Sequence, residues 1–413
     1  MKKKNLFIAI FLCLLLCIYV YICAIDAIPE KIIIFEGEDL NIKKIFGISI
    51  EEKNDQSSIL TSADGNSNDI INNNKENLEV KLFNFNVKNI DVSIIEKTQV
   101  IPIGLVSGIK LYTSGALVVG MSEIKGLDNQ KYKPYEGSGI EEGDTIIQIG
   151  ENEINNANDL INVVNQSNGE ELNITYLRNG KKEETSIRPL QTGENEYKLG
   201  LWVRDSAAGI GTMTYYEPKT GNFAALGHGI SDIDTGELID VGNGEFITTK
   251  VLSIIKGENG TPGKIQGSIN DQSQIGTITK NSGFGIYGKI TGISKVNTNS
   301  GNLMDVALRK EIQLGKATML CSLDGKNVEE YEIEIEKIYL NNDYDNKSML
   351  IKVTDERLIE KTGGIIQGMS GSPVIQNGKF IGAVTNVLVS DPTQGYVVFG
   401  DIMIKEGMEN IDR

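Results

Sequence analysis

The chain is short of the residues that carry much of enzyme chemistry. It has one histidine, His228, in 413 residues. A multi-histidine zinc site and a His-x-x-x-His metalloprotease helix are therefore excluded. Of four cysteines, Cys13, Cys17 and Cys23 lie in the N-terminal apolar run. Only Cys321 is left beyond it, so no disulfide framework can form there. Proline is scarce at 8 residues and aromatics make up 6%, whereas glycine reaches 45. Many tight turns with few rigid linkers suit a turn-rich β protein better than a helical bundle. Positive charge is outweighed, and the net charge is −16. Phosphate binding needs a basic face, so nucleic acid is not an expected partner. The length suits two or three domains.

Lys2, Lys3 and Lys4 precede an uncharged stretch from Leu6 to Ile25. Twenty residues suffice to cross about 30 Å of hydrocarbon as a helix. Lysines before it, and Asp26 and Glu30 after it, place the bulk of the chain outside. We read residues 5–25 as an uncleaved signal-anchor, because the apolar core of a cleaved signal peptide is shorter, about 7–15 residues. No small residue stands just before Cys23, which argues against a lipoprotein site. Residues 26–99 read as a small β module of unassigned role. Within it, 54–77 is rich in Asn, Ser and Asp and is expected to be a flexible insertion. After it Leu78, Val80 and Leu82 alternate with charged residues, and the phase slips at Phe83, as at a bulge.

Residues 100–190 carry Gly139-Ile-Glu-Glu-Gly143-Asp144-Thr-Ile-Ile147, then a helix candidate over 156–167. Asn155 or Asn156 can cap that helix. Alternating strands follow at 171–177 and 185–190, joined through the hairpin signal Asn179-Gly180. The segment resembles a PDZ domain, a module that binds extended peptides by strand addition beside a helix. By that resemblance the peptide-end loop falls at Ile103, Gly104, Leu105, Val106 and Ser107. This loop departs from the usual Gly-Leu-Gly-Phe pattern.

The sharpest segment is Gly368-Met369-Ser370-Gly371-Ser372-Pro373-Val374-Ile375, followed by Asn377-Gly378 and a second strand. Flanking glycines let the backbone aim two N–H groups at one point beside a serine hydroxyl, as an oxyanion hole requires. The stretch resembles the nucleophile segment of chymotrypsin-like serine peptidases. That resemblance makes Ser370 the nucleophile and the Gly368 and Ser370 N–H groups the oxyanion donors; Ser372 aligns with a glycine. A serine needs a base, and His228, in Leu226-Gly227-His228-Gly229-Ile230 after a small-apolar strand, is the sole histidine. The carboxylate that would orient it has three candidates: Asp232, Asp234 and Asp355. Chain order and a place at a strand end favour Asp355. A helix cap over 356–362 is the competing role for that residue.

An N-terminal membrane segment, a PDZ domain, Gly227-His-Gly-Ile-Ser-Asp232 and Gln367-Gly-Met-Ser-Gly-Ser-Pro373 together resemble the stage IV sporulation protein B (SpoIVB) peptidases over nearly the full chain. The resemblance implies a triad of His228, Asp355 and Ser370, with no cofactor and no metal. It also implies a mainly β fold: a chymotrypsin-like double β-barrel over 200–413, after the PDZ domain and a membrane helix. Such peptidases belong to endospore formers and work in the space between the two forespore membranes. They cut themselves and a membrane-bound regulator of an intramembrane protease, which triggers late transcription in the mother cell. Two other readings stand beside it. A general extracytoplasmic quality-control protease usually places PDZ after the peptidase, unlike this chain. A non-catalytic PDZ scaffold sits poorly with an intact His228 and Ser370.

Overall fold

The computed structural model describes residues 2–26, 28–37, 48–52, 75–83, 85–292, 302–340 and 345–408. The chain is mainly β. It opens with one helix, Lys2–Asp26, on which Phe7, Leu12 and Leu16 are exposed. Among the described residues no helix is long and apolar enough to cross a membrane; the side chains at 2–6, 9 and 17 of this helix lie outside them.

The 26–99 module is a four-stranded sheet in the order Lys31–Phe35, Phe85–Ile95, Lys75–Leu82, Ile48–Glu52. Leu78, Val80, Ile90 and Val92 are buried on one face, as period-two alternation requires. The phase slip at Phe83 is a turn between two strands and not a bulge there; Phe83 takes a positive φ of 48°. Of the expected insertion, 54–74 lies outside the described residues, and 75–77 instead begin the strand Lys75–Leu82. Ile33, Phe35 and Ile95 pack into the core of the C-terminal barrel.

The middle of the chain supplies strands Thr145–Ile149, Leu172–Arg178 and Lys181–Ile187 and the helix Ala157–Gln166. Asn156 caps the helix by accepting from the Asp159 N–H. Asn179 and Gly180 both have positive φ, 51° and 74°, as the type I′ hairpin demands. The Asp of the Gly-Asp pair, Asp144, is buried, accepts from the Glu141 N–H and pairs with Arg178. Ile140, Ile146, Ile149, Leu160, Val164 and Ile174 form the core.

The strand Gln99–Met121 runs on without a break from a ring of strands into the sheet of Thr145–Ile149 and Leu172–Arg178. Its end, from Ala116, pairs with Thr145–Ile149. One edge pairs with Leu201–Glu217 from Ile101 to Met121, and the other pairs with Val241–Ile255 over 107–113. Strands Asn222–Ala225, Gly285–Ile290 and Lys264–Ser282 connect these two in order, all antiparallel, so six strands pair in a ring. The boundary expected at 99/100 thus cuts off a strand that the ring needs. A second closed barrel follows, in the order Gly315–Ser322, Val328–Ile338, Met349–Val353, Gln394–Phe399, Lys379–Val387, Pro373–Gln376. Closure leaves these strands no free edges.

Candidate active site

His228 leaves the first ring just after Asn222–Ala225. Its loop is held by side chains from elsewhere. Asn281 accepts from the Ile230 N–H at 2.9 Å and donates to the Ile230 and Ile239 carbonyls at 2.8 and 2.9 Å. Asp232 is buried; it accepts from the Asp234 and Thr235 N–H groups and pairs with Arg204, which also reaches Asp234 at 2.6 Å. Burial works to raise the Asp232 carboxyl, but those N–H bonds and Arg204 overcome it and hold it below the usual range. Asp232 and Asp234 are thereby occupied in fixing the loop.

The ring of His228 places Nδ1 2.8 Å from the Gly229 carbonyl. A carbonyl only accepts, so Nδ1 carries the proton and Nε2 offers its lone pair. Burial lowers the His228 pKa below the ordinary histidine value, opposed by the Gly229 bond. The imidazole is therefore a neutral base at neutral pH.

Ser370 sits in a turn between the helix Glu356–Thr362 and the strand Pro373–Gln376. Its hydroxyl donates to the Thr385 carbonyl at 2.7 Å. The N–H groups of Gly368 and Ser370 donate to no protein acceptor among the described residues, which leaves both open to an incoming oxygen. Gly371 has a φ of 96°. A side chain there would meet the Thr212 carbonyl oxygen at 2.1 Å and the Leu226 nitrogen at 2.5 Å, so the position admits glycine alone. Ser372 is fully buried.

His228 and Ser370 line one cleft of about 440 Å³. Ile210, Leu226, Ile230, Ile365, Ile366 and Val387 make its walls, and none of its 18 lining residues is charged. Among the described residues no cluster of three or more His, Cys, Asp or Glu could hold a metal.

Two expected features of the site, the Asp355 carboxylate and the 103–107 loop, lie elsewhere. The Asp355 carboxylate accepts from the Glu332 and Arg357 N–H groups at 3.2 and 3.0 Å and pairs with the Arg357 guanidinium at 2.7 Å. Arg357 above all holds its pKa down at about 2. It caps the helix Glu356–Thr362, none of these bonds reaches His228, and it does not line the cleft. The structure gives it the capping role and does not bring it to the histidine. Ile103–Ser107 likewise form no peptide-end loop: they lie inside the strand Gln99–Met121, with Ile103, Val106 and Ser107 buried and Gly104 packed on Leu320. Leu199 and Leu201 pack instead in the core shared by Leu160 and Val164 of the helix Ala157–Gln166. Gly200 has a φ of 80°. The strand they enter has no second partner strand over 201–206 among the described residues. Leu199-Gly200-Leu201 carries the same apolar-Gly-apolar pattern as Ile103-Gly104-Leu105, so the pattern alone does not separate the two segments.

The profile of the family described as SpoIVB peptidase S55 matches residues 195–404, half of the chain. The chain belongs to this family. A PDZ domain profile matches residues 121–188. The protein is thus a PDZ-containing serine peptidase of the S55 family. No curated protein matches it. Among solved structures, the Rv3671c protease from M. tuberculosis is remotely similar. Its active form is 14% identical, with a TM-score of 0.26, covering 48% of this chain and 72% of that one. The inactive form gives the same identity and TM-score, covering 46% and 79%.

Proposed function

We propose that this S55 peptidase is a membrane-anchored endopeptidase in which Ser370 is the nucleophile and His228 the base. The observation that carries this is their meeting in one cleft, with two unpaired N–H groups beside the serine. Rotation of the Ser370 side chain away from the Thr385 carbonyl presents its hydroxyl to Nε2 of His228. The oxygen then attacks the scissile carbonyl carbon while Nε2 takes the proton. The carbonyl oxygen gains negative charge against the Gly368 and Ser370 N–H groups. The Gly229 carbonyl, accepting from Nδ1, steadies the imidazolium. Nε2 passes the proton to the leaving amine, and a water repeats the sequence to release the acyl group. Asp355 holds the third place of a triad by chain order, but its carboxylate is committed to Arg357, so this reading runs on Ser370 and His228.

The fold that suits this chemistry is a chymotrypsin-like pair of antiparallel barrels with the cleft between them. The ring that carries His228 and the barrel that carries Ser370 support it. The PDZ domain is the regulatory module, taking a peptide end at Leu199–Leu201 between the open edge of 201–206 and the helix Ala157–Gln166. The helix Lys2–Asp26 is the anchor, with the rest of the chain extracytoplasmic, in the forespore intermembrane space. The substrates are the chain itself and a membrane-bound regulator of an intramembrane protease, cut as a late sporulation signal; the family name supports the sporulation setting.

The test is co-expression with such a regulator, followed by N-terminal sequencing of the fragments. Cleavage of both proteins, lost in Ser370→Ala and His228→Ala, is the expected result. Fragments that persist in Ser370→Ala would refute the nucleophile. Cleavage of unfolded proteins in general would favour quality control over signalling.

A further inference from the structure

Thr212 touches both halves of the site and lines none of the cleft. It is fully buried in the strand Leu201–Glu217. Its N–H donates to the Ser370 carbonyl at 2.9 Å. Its hydroxyl donates to the Gly368 carbonyl at 2.7 Å. Its own carbonyl accepts from the Leu226 N–H at 3.2 Å, two residues before His228. One residue of the first ring thus holds the serine turn from the second barrel and the approach to the histidine.

We propose that Thr212 is the positioning residue that sets nucleophile, oxyanion donors and base at their working separation. This rests on Ser370 and His228 being the catalytic pair. The backbone bonds of Thr212 do not depend on its side chain and survive any substitution but proline, whereas the bond to Gly368 needs the hydroxyl. Fixing the Gly368 carbonyl fixes the Gly368–Met369 peptide plane, which stands between the planes of the two free N–H groups, and so constrains the direction in which the turn presents them. Gly371 explains how close the segments come. Its missing side chain is what lets the Thr212 carbonyl and Leu226 nitrogen approach the turn. Buried between two closed strand systems, the hydroxyl has no solvent to replace it.

The measurement is the rate at which a fluorophosphonate labels Ser370 in the full chain in detergent micelles, across pH. Thr212→Val removes the hydroxyl at near-constant volume and is expected to label about 100-fold more slowly, the scale of a misplaced reacting group. Thr212→Ser keeps the hydroxyl and is expected within about threefold of the parent. The pH midpoint should stay put in both, because spacing and not proton affinity has changed. A folded Thr212→Val that labels at the parental rate overturns the proposal, and so does a shifted midpoint. Should Thr212→Val fail to fold, Thr212→Ser against Thr212→Ala decides, and equal rates overturn it. If the parent is not labelled, or Ser370→Ala still is, the catalytic pair itself is wrong and the proposal falls with it.

Discussion

The Gly229 carbonyl accepts the Nδ1 proton of His228 at 2.8 Å, in the place where a carboxylate would stand in a triad. A neutral acceptor from the next residue fixes the tautomer but adds no charge to raise proton affinity. Burial therefore prevails, and the His228 pKa lies below the ordinary value. The expected pH profile has a single acid limb, with its midpoint below about 6.5. Since this is the only histidine, its imidazole signal in an NMR titration must follow the activity. A midpoint above 6.5 would place an anion beside the ring. The same shift bears on stability. Unfolded chains bind the histidine proton more readily, so this contribution is present above about 6.5 and lost as pH falls through the lower folded value.

Asp355→Ala is expected to cost stability and spare chemistry. It removes a helix cap and the partner of Arg357, together worth about 1–2 kcal/mol, discounted because Arg357 is exposed. Urea unfolding should show that loss, while fluorophosphonate labelling of the folded protein stays within about threefold of the parent. The Asp355 pKa is held at about 2, below its unfolded value, so its stabilisation is present above about pH 4 and fades as pH falls towards 2. Labelling lost in folded Asp355→Ala would return the residue to a triad.

What could be read from the chain and what could not divide along a physical line. The serine turn was legible because its glycines encode local backbone geometry: Gly368 and Gly371 take φ values of 101° and 96°. His228 was legible by scarcity. The role of Asp355 was not, since its partners include the backbone of Glu332, 23 residues away. Its place at a strand end fitted two roles, and only Arg357 decided between them. The strand Gln99–Met121 misled for another reason. No Gly-Pro or Asn-Gly punctuation marks where it passes from ring to PDZ sheet, so 103–107 looked like part of the module that follows.

Arg204 and Asp232 fix the histidine loop, and separating them should be felt at the active site. Asp232→Ala removes the acceptor of two N–H bonds and of Arg204. A loss of about 2–3 kcal/mol in unfolding is expected, together with a fall of roughly tenfold in labelling rate as the loop loosens. Asp234→Ala, at an exposed partner of Arg204, should cost less than about 1 kcal/mol. Equal effects at the two positions would mean that the loop is held otherwise.

The cleft itself predicts what is cut. In a chain with 23% charged residues, none of the 18 residues lining the cleft carries a charge. A charged substrate side chain entering would lose water and find no counter-ion, whereas an aliphatic one is desolvated at a gain of about 25 cal/mol per Å². Cleavage sites mapped by mass spectrometry in a peptide library should therefore be enriched in Leu, Ile, Val or Met beside the scissile bond and depleted in Asp, Glu, Lys and Arg. One methylene in such a pocket discriminates by about 1–3 kcal/mol, so the preference should be graded among the aliphatics. Gln367 lines the cleft and is exposed. Gln367→Glu adds one negative charge without changing volume, and it should raise cleavage beside Lys and Arg relative to the parent while lowering it beside Asp and Glu. If the parent already prefers a charged residue there, the substrate does not use this cleft in the way its walls imply. If Gln367→Glu leaves the library profile untouched, the side chain at 367 does not face the bound peptide.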